Sequence, residues 1–191
     1  MKIITLHNNE KQLIKKSIQG DQNAQKLLYD KFSPKMLGVC RQYIKDLHFA
    51  EDVMINGFVK VFNHLSSFQN KGSFEGWIRT IMVRESISYL RKRQFVVYDD
   101  EAIEVNGKIS EPGDGLLDVE YVQDLIDRLP EGYKAVFLLN AIEGYGHKEI
   151  AELLEISEGT SKSQLFKARK MLQENLNLKG MSPGLRSATK K

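Results

Sequence analysis

The sequence predicts an all-α protein of two small helical domains joined by an acidic flexible linker. Apolar residues recur at helical spacing along most of the chain, and strand-type alternation is nearly absent. Residues 95–118 break that period. They contain Gly107, Pro112, Gly113 and Gly115, and set Asp99, Asp100, Glu101, Glu104, Glu111, Asp114 and Asp118 against Lys108 alone. A chain of 191 residues with 41% hydrophobic content fills one large core or two small ones. The break favours two, giving a domain over 1–94, a linker over 95–118, a second domain over 119–178 and a basic tail over 179–191.

Each element has a local reason. A first helix is expected over 10–18, where Gly20 and Asp21 supply a stop and a fresh cap. A second follows over 21–32 and a third over 34–43, with Pro34 suited to a first helical turn. The fourth, 49–65, has Val53, Phe58, Val61, Phe62 and Leu65 for its buried face, and 66–72 is a polar loop. The fifth, 74–93, turns Trp77, Ile78, Ile81, Met82, Ile87 and Leu90 inward and its arginines outward. Beyond the linker, helices are expected over 119–128, 131–142, 147–154 and 158–175. The tail carries Arg186, Lys190 and Lys191 with no acid and reads as disordered.

A net charge of +3 is too mild for a uniformly basic coat, so its distribution matters. Between 71 and 93 lie Lys71, Arg79, Arg84, Arg91, Lys92 and Arg93 against Glu75 and Glu85, and the acidic linker follows directly. Cys40 is the single cysteine, which excludes an intrachain disulfide and four-cysteine zinc sites and suits a core position. The four histidines are scattered, so no metal site and no cofactor are expected. The start of the chain turns polar at His7-Asn8-Asn9-Glu10, against a secretory signal. Residues 135–142, the longest apolar stretch, fall far short of the roughly twenty needed to span a bilayer. A cytoplasmic location is expected.

The most specific segment is 146–170, which reads as a helix, a sharp turn and a basic second helix. Ile150, Leu153 and Leu154 form the stripe of the first helix, Ala151 permits close crossing, and Ile156 plugs the corner. Ser157 caps the second helix, with Glu158 in its first turn, where the helix dipole favours a carboxylate. Leu165, Ala168 and Leu172 bury one side of that helix. Lys162, Ser163, Lys167, Arg169 and Lys170 are then left to face a groove and its phosphates. The bland reading is a helical hairpin with a solvated basic face. The coincidence of small residue, corner residue, cap and basic helix favours a DNA-binding helix-turn-helix.

From Leu13 to Leu176 the chain resembles the extracytoplasmic-function (ECF) sigma factors, small bacterial transcription-initiation subunits. The resemblance rests on Ala50-Glu51-Asp52 with Phe58 and Phe62, and on Gly72-Ser73-Phe74-Glu75-Gly76-Trp77-Ile78-Arg79 running into Tyr89-Leu90-Arg91-Lys92. Leu129-Pro130-Glu131-Gly132-Tyr133 before Val136-Phe137, then the helix-turn-helix with Ser157-Glu158-Gly159-Thr160, complete the order. It implies a sigma region 2 bundle over 1–94 and a sigma region 4 helix-turn-helix over 119–178.

The resemblance also implies roles. Glu51, Asp52 and Asn56 would dock on core RNA polymerase. Phe68, Asn70, Lys71 and Ser73, with Arg79, Arg84, Arg91, Lys92 and Arg93, would capture the melted minus-10 element as a flipped base and its phosphates. Lys162, Ser163 and Gln164 would meet base edges of the minus-35 element, while Lys167, Arg169 and Lys170 hold phosphates. The linker would thread the polymerase cleft; composition alone slightly favours a solvated spacer. An anti-sigma factor is a family-implied partner. Many relatives carry Gln-Glu where this chain has Ile55-Asn56, glycine at Glu155 and an aliphatic residue at Ser161. Ile55 reads equally as docking surface or core, and the spacing of Trp77 favours core.

An enzyme is not expected, because no Walker-type glycine loop, Glu-x-x-His pair or His-Glu-x-x-His helix occurs. The alternative is a stand-alone helix-turn-helix regulator that does not act as a polymerase subunit. Such a regulator would need a sensor site, where this chain has a basic face.

Overall fold

The computed structural model describes residues 3–92 and 119–177, with side chains over 10–92 and 121–176. The linker 95–118, the tail 179–191 and Arg93 lie outside the described residues. The described residues are helical, and the chain divides into two compact units, Met1–Gln94 and Phe95–Lys191.

The first unit contains α1 (Ile3–Ile18), α2 (Gln22–Tyr43), α3 (Leu47–Asn63), a 3-10 turn (Leu65–Ser67) and α4 (Phe74–Lys92). Gly20, at φ 87°, takes the left-handed turn after α1, and Asp21 then caps α2 by accepting from the Asn23 and Ala24 N–H groups at 2.9 and 3.1 Å. The helices expected over 21–32 and 34–43 are one helix, with Pro34 inside it. The reason is the buried stripe: Ala24, Leu28, Phe32, Met36, Val39, Cys40 and Tyr43 run unbroken past the proline. Pro34 and Asp30 both lie on the exposed side of the helix, away from that stripe, where the donor lost at the proline costs least.

Asp46 caps α3 through the Phe49 N–H at 3.1 Å. This helix crosses α4 so closely that a Cβ on Gly57 would stand 2.4 Å from Met82 Sδ. Ile55 is not core: it is 49% exposed, and Val59 54%. In α4 the buried residues are Phe74, Ile78, Met82, Val83, Ser86, Ile87 and Leu90. Trp77 and Ile81, expected inward, are only half-buried, because they sit at the edges of that stripe. Cys40 is buried beneath α4, within hydrogen-bonding reach of Ser86, and burial pushes its thiol up to about 11.

The second unit contains α5 (Val119–Asp127), α6 (Glu131–Phe137), α7 (His147–Leu154) and α8 (Glu158–Asn177). The helix expected over 131–142 does not stay α: Leu138–Ile142 widens to a π turn, with the Glu143 N–H on the Leu138 carbonyl at 3.1 Å. Gly144, at φ 77°, reverses the chain there, and the Asn140 amide donates to the Tyr145 carbonyl at 3.0 Å. A buried ion pair between Lys134 and Asp127, side chains 5% and 8% exposed, fixes α5 to α6. Tyr121, Leu125, Val136, Leu138, Leu139, Ile150, Leu165 and Ala168 form the core.

Candidate nucleic-acid interface

In the first unit the loop after the 3-10 turn builds a cavity of about 370 Å³, lined by Ser67, Phe68, Gln69, Lys71, Gly72, Ser73, Gly76, Trp77 and Thr80. Two rings, Phe68 and Trp77, line it, and the buried Phe74 packs behind them. Phe68 meets Phe74 at 5.1 Å and Trp77 at 5.5 Å between centroids, and Phe74 stacks on Trp77 at 5.8 Å. Phe74 is buried, so the apolar base is anchored while Phe68 and Trp77 remain partly open.

Polar groups at the same mouth have free valences of both kinds. Ser73 caps α4 by accepting the Gly76 N–H at 3.0 Å, which leaves its own O–H to donate. Thr80 spends its hydroxyl proton on the Gly76 carbonyl at 3.0 Å, leaving oxygen lone pairs to accept. Lys71 is exposed, and the α4 N-terminus adds its partial positive charge. Phe68, Lys71 and Ser73 therefore converge on one cavity. Asn70, at φ 54°, faces a second cavity that also uses Phe68.

The cations of α4 do not all share the cavity's side. Counting 3.6 residues per turn from Trp77, positions 80, 84 and 91 continue one stripe and Lys92 borders it; Arg84, Arg91 and Lys92 are exposed. Arg79 is half-buried on the side that packs against the bundle, away from that stripe. Arg93 lies outside the described residues. On α3, Asp52, Ile55, Asn56 and Val59 fall at i, i+3, i+4 and i+7 and form one exposed stripe, with Glu51 half-buried at its edge.

In the second unit, α7 ends on Glu155 in the left-handed conformation, φ 57° and ψ 41°, and the Ile156 N–H closes the turn on the Ala151 carbonyl at 3.1 Å. Ser157 caps α8 by accepting the Thr160 N–H at 2.9 Å. Ser161, where an apolar side chain would be ordinary, is fully buried and bonds His147 Nδ1 at 2.9 Å, which ties the start of α7 to α8. Lys162 pairs with Glu158 at 2.7 Å, and its hydrogen bond holds that carboxyl below the usual range.

The outward face of α8 carries Lys162, Ser163, Phe166, Arg169 and Lys170. Arg169 reaches Asn140 Oδ1 at 3.3 Å, and Lys167 is half-buried with its ammonium 5.8 Å from the Tyr133 ring centre. Gln164 is a correction: it is only 6% exposed, because positions 161, 164, 165 and 168 form the buried stripe. Sequence reasoning missed Phe166, which is 70% exposed. The signal was its phase: it lies four residues after Lys162 and three after Ser163, off the stripe defined by Leu165, Ala168 and Leu172.

Comparison with known proteins agrees with this geometry. The Sigma-70 region 2 family matches residues 28–96, and the Sigma-70 region 4 family matches 120–172. RNA polymerase sigma factor SigV of Bacillus subtilis is 30% identical over 141 residues, 73% of this chain and 83% of that protein. The ECF RNA polymerase sigma-E factor of Haemophilus influenzae is 26% identical over 177 residues, covering 86% of this chain and 93% of the relative. The sigma factor RpoE of Bartonella quintana, solved in complex with the anti-sigma factor NepR, shares the fold, with a TM-score of 0.50 and 24% identity over 80% of this chain and 96% of that one. The chain belongs to the sigma-70 family of RNA polymerase sigma factors, in its extracytoplasmic-function group. These relatives favour the polymerase subunit over the stand-alone regulator.

Proposed function

We propose that this chain is a non-catalytic initiation subunit that docks on core RNA polymerase through α3, captures the melted minus-10 strand at the Phe68–Trp77 cavity, and reads minus-35 duplex with α8. The observation that carries this is the cavity itself: an aromatic wall, donors and acceptors at its mouth, and exposed cations continuing from it along α4. Opening DNA without nucleotide hydrolysis requires that the unpaired state be bound in preference to the duplex. A base sequestered against Phe68 and Trp77, with phosphates on Lys71, Arg84, Arg91 and Lys92, supplies that preference.

The docking stripe on α3 combines Asp52 and Asn56 with two aliphatic residues. Ile55 supplies contact area where many relatives have a polar pair, so burial against the polymerase replaces part of an electrostatic contact. On α8, Lys162, Ser163 and Phe166 face base edges, Phe166 being suited to a thymine methyl, while Arg169 and Lys170 hold phosphates. Lys167 borders this surface. An anti-sigma factor is a second proposed partner: the Bartonella relative is solved with one, and a cover over Ile55 and Val59 would block docking. The site of action is the cytoplasm; among the described residues no helix is long and apolar enough to cross a membrane.

The test is reconstitution. Core polymerase and the purified chain, given a promoter library, should yield defined transcripts that core alone does not produce. If the chain neither binds core nor directs initiation, the proposal fails.

A further inference from the structure

Helix α6 and the π turn that ends it touch two cations of α8, one at each edge of its outward face. Lys167 has its ammonium 5.8 Å from the Tyr133 ring centre, and Arg169 Nη2 donates to Asn140 Oδ1 at 3.3 Å. We propose that Asn140 is a positioning residue for upstream binding, holding the Arg169 guanidinium where it meets one backbone phosphate of the minus-35 duplex. The inference rests on the duplex-reading role proposed for α8.

Crossing geometry is the first support. Around α8, Lys167 and Arg169 stand about 100° to either side of the buried Ala168. Helix α6 packs directly on α8. Tyr133 and Asn140 are seven positions apart in sequence, a rise of about 10 Å along a helix, which matches the width of the helix it crosses. One helix passing beneath the other therefore reaches both flanks, and Lys162, Ser163, Phe166 and Lys170 lie between them on the open side.

The Asn140 amide is the second support. Its NH2 group donates to the Tyr145 carbonyl at 3.0 Å, which turns Oδ1 toward Arg169. That carbonyl is itself fixed, because the Tyr145 N–H donates to the Leu139 carbonyl at 2.9 Å and the Glu143 N–H to that of Leu138 at 3.1 Å. Closing the loop needs only the bond to Tyr145; the second bond goes to a cation of the reading face.

Charge is the third. Lys162 pairs with Glu158 at 2.7 Å and Lys170 lies 3.8 Å from Glu174, so a carboxylate already answers part of each charge. Arg169 is held by a neutral oxygen, which occupies one of the five guanidinium donors and leaves the positive charge whole for a phosphate. Such an anchor restricts the side chain before DNA arrives, so less freedom is lost on binding.

The test is a methylphosphonate scan of minus-35 duplex bound by the reconstituted holoenzyme, with one phosphate at a time replaced by an uncharged group. For the unaltered chain, one position should cost about tenfold in affinity, and Arg169→Ala should make that position nearly indifferent. Asn140→Ala should do the same there, keep the sensitivity of the other positions, and weaken binding of the unmodified duplex about fivefold. The two substitutions together should bind no worse than Arg169→Ala alone. If that position stays as sensitive in Asn140→Ala as in the unaltered chain, or all positions are blunted alike, Asn140 serves only the fold; the inference is then overturned and the duplex-reading role stands. If Arg169→Ala changes no position, Arg169 holds no phosphate, and the inference falls with that assignment.

Discussion

Glu155 shows how a single residue marks a trade in this protein. Its backbone sits at φ 57°, a conformation that costs a non-glycine residue about 1 kcal/mol. Glu155→Gly should therefore raise the unfolding free energy by about 1 kcal/mol, measured by denaturant titration of the second unit's transition. Cys40 gives a sharper test of burial. Its thiol is pushed up to about 11 from 9.0, mainly by desolvation, so it stays protonated throughout the neutral range. A thiol reagent at pH 8 should leave the native chain unmodified and label one site once it is unfolded. At the upstream interface, Phe166→Ala should cost about 1 kcal/mol of binding, lost on thymine-containing sites and not on their uracil analogues, measured by titrating promoter duplexes. Equal losses on both would remove the methyl contact from the account.

Among the elements, α3 carries the polymerase-docking proposal, and its exposed stripe separates docking from folding. Ile55→Asp with Val59→Asp should weaken core binding by about tenfold or more while leaving the helical circular dichroism unchanged, since both side chains already face solvent. In α2, Pro34→Ala restores a backbone donor in mid-helix and should stabilise the chain by about 1 to 3 kcal/mol. That helix also shows what sequence conveys. Caps at Asp21 and Ser157 and the limits of α7 were legible because each depends on residues within a few positions. Continuity of α2 through Pro34 was not, because it is decided by the Leu28 to Met36 face packing on other helices. The same holds for the site. Lys71 and Ser73, named through the family resemblance of this loop, both line the cavity. Trp77 at the cavity, Arg79 turned toward the bundle and Gln164 in the core each depended on which side of a helix the neighbours cover.

At the scale of the molecule, the proposed function gives duplex reading to one unit and strand capture to the other, and the acidic segment 95–118 lies between them in sequence. If opening is driven by strand capture, damage to the cavity rim should spare upstream binding and abolish melting. The most direct measurement is permanganate reactivity of promoter thymines in the reconstituted holoenzyme, read beside protection of the upstream element from nuclease. Lys71→Glu combined with Gln69→Ala removes rim groups that are exposed and outside the core. The predicted result is retained upstream protection with at least a tenfold loss of permanganate-reactive thymines. Undiminished reactivity in that variant, with strand opening intact, would contradict the account.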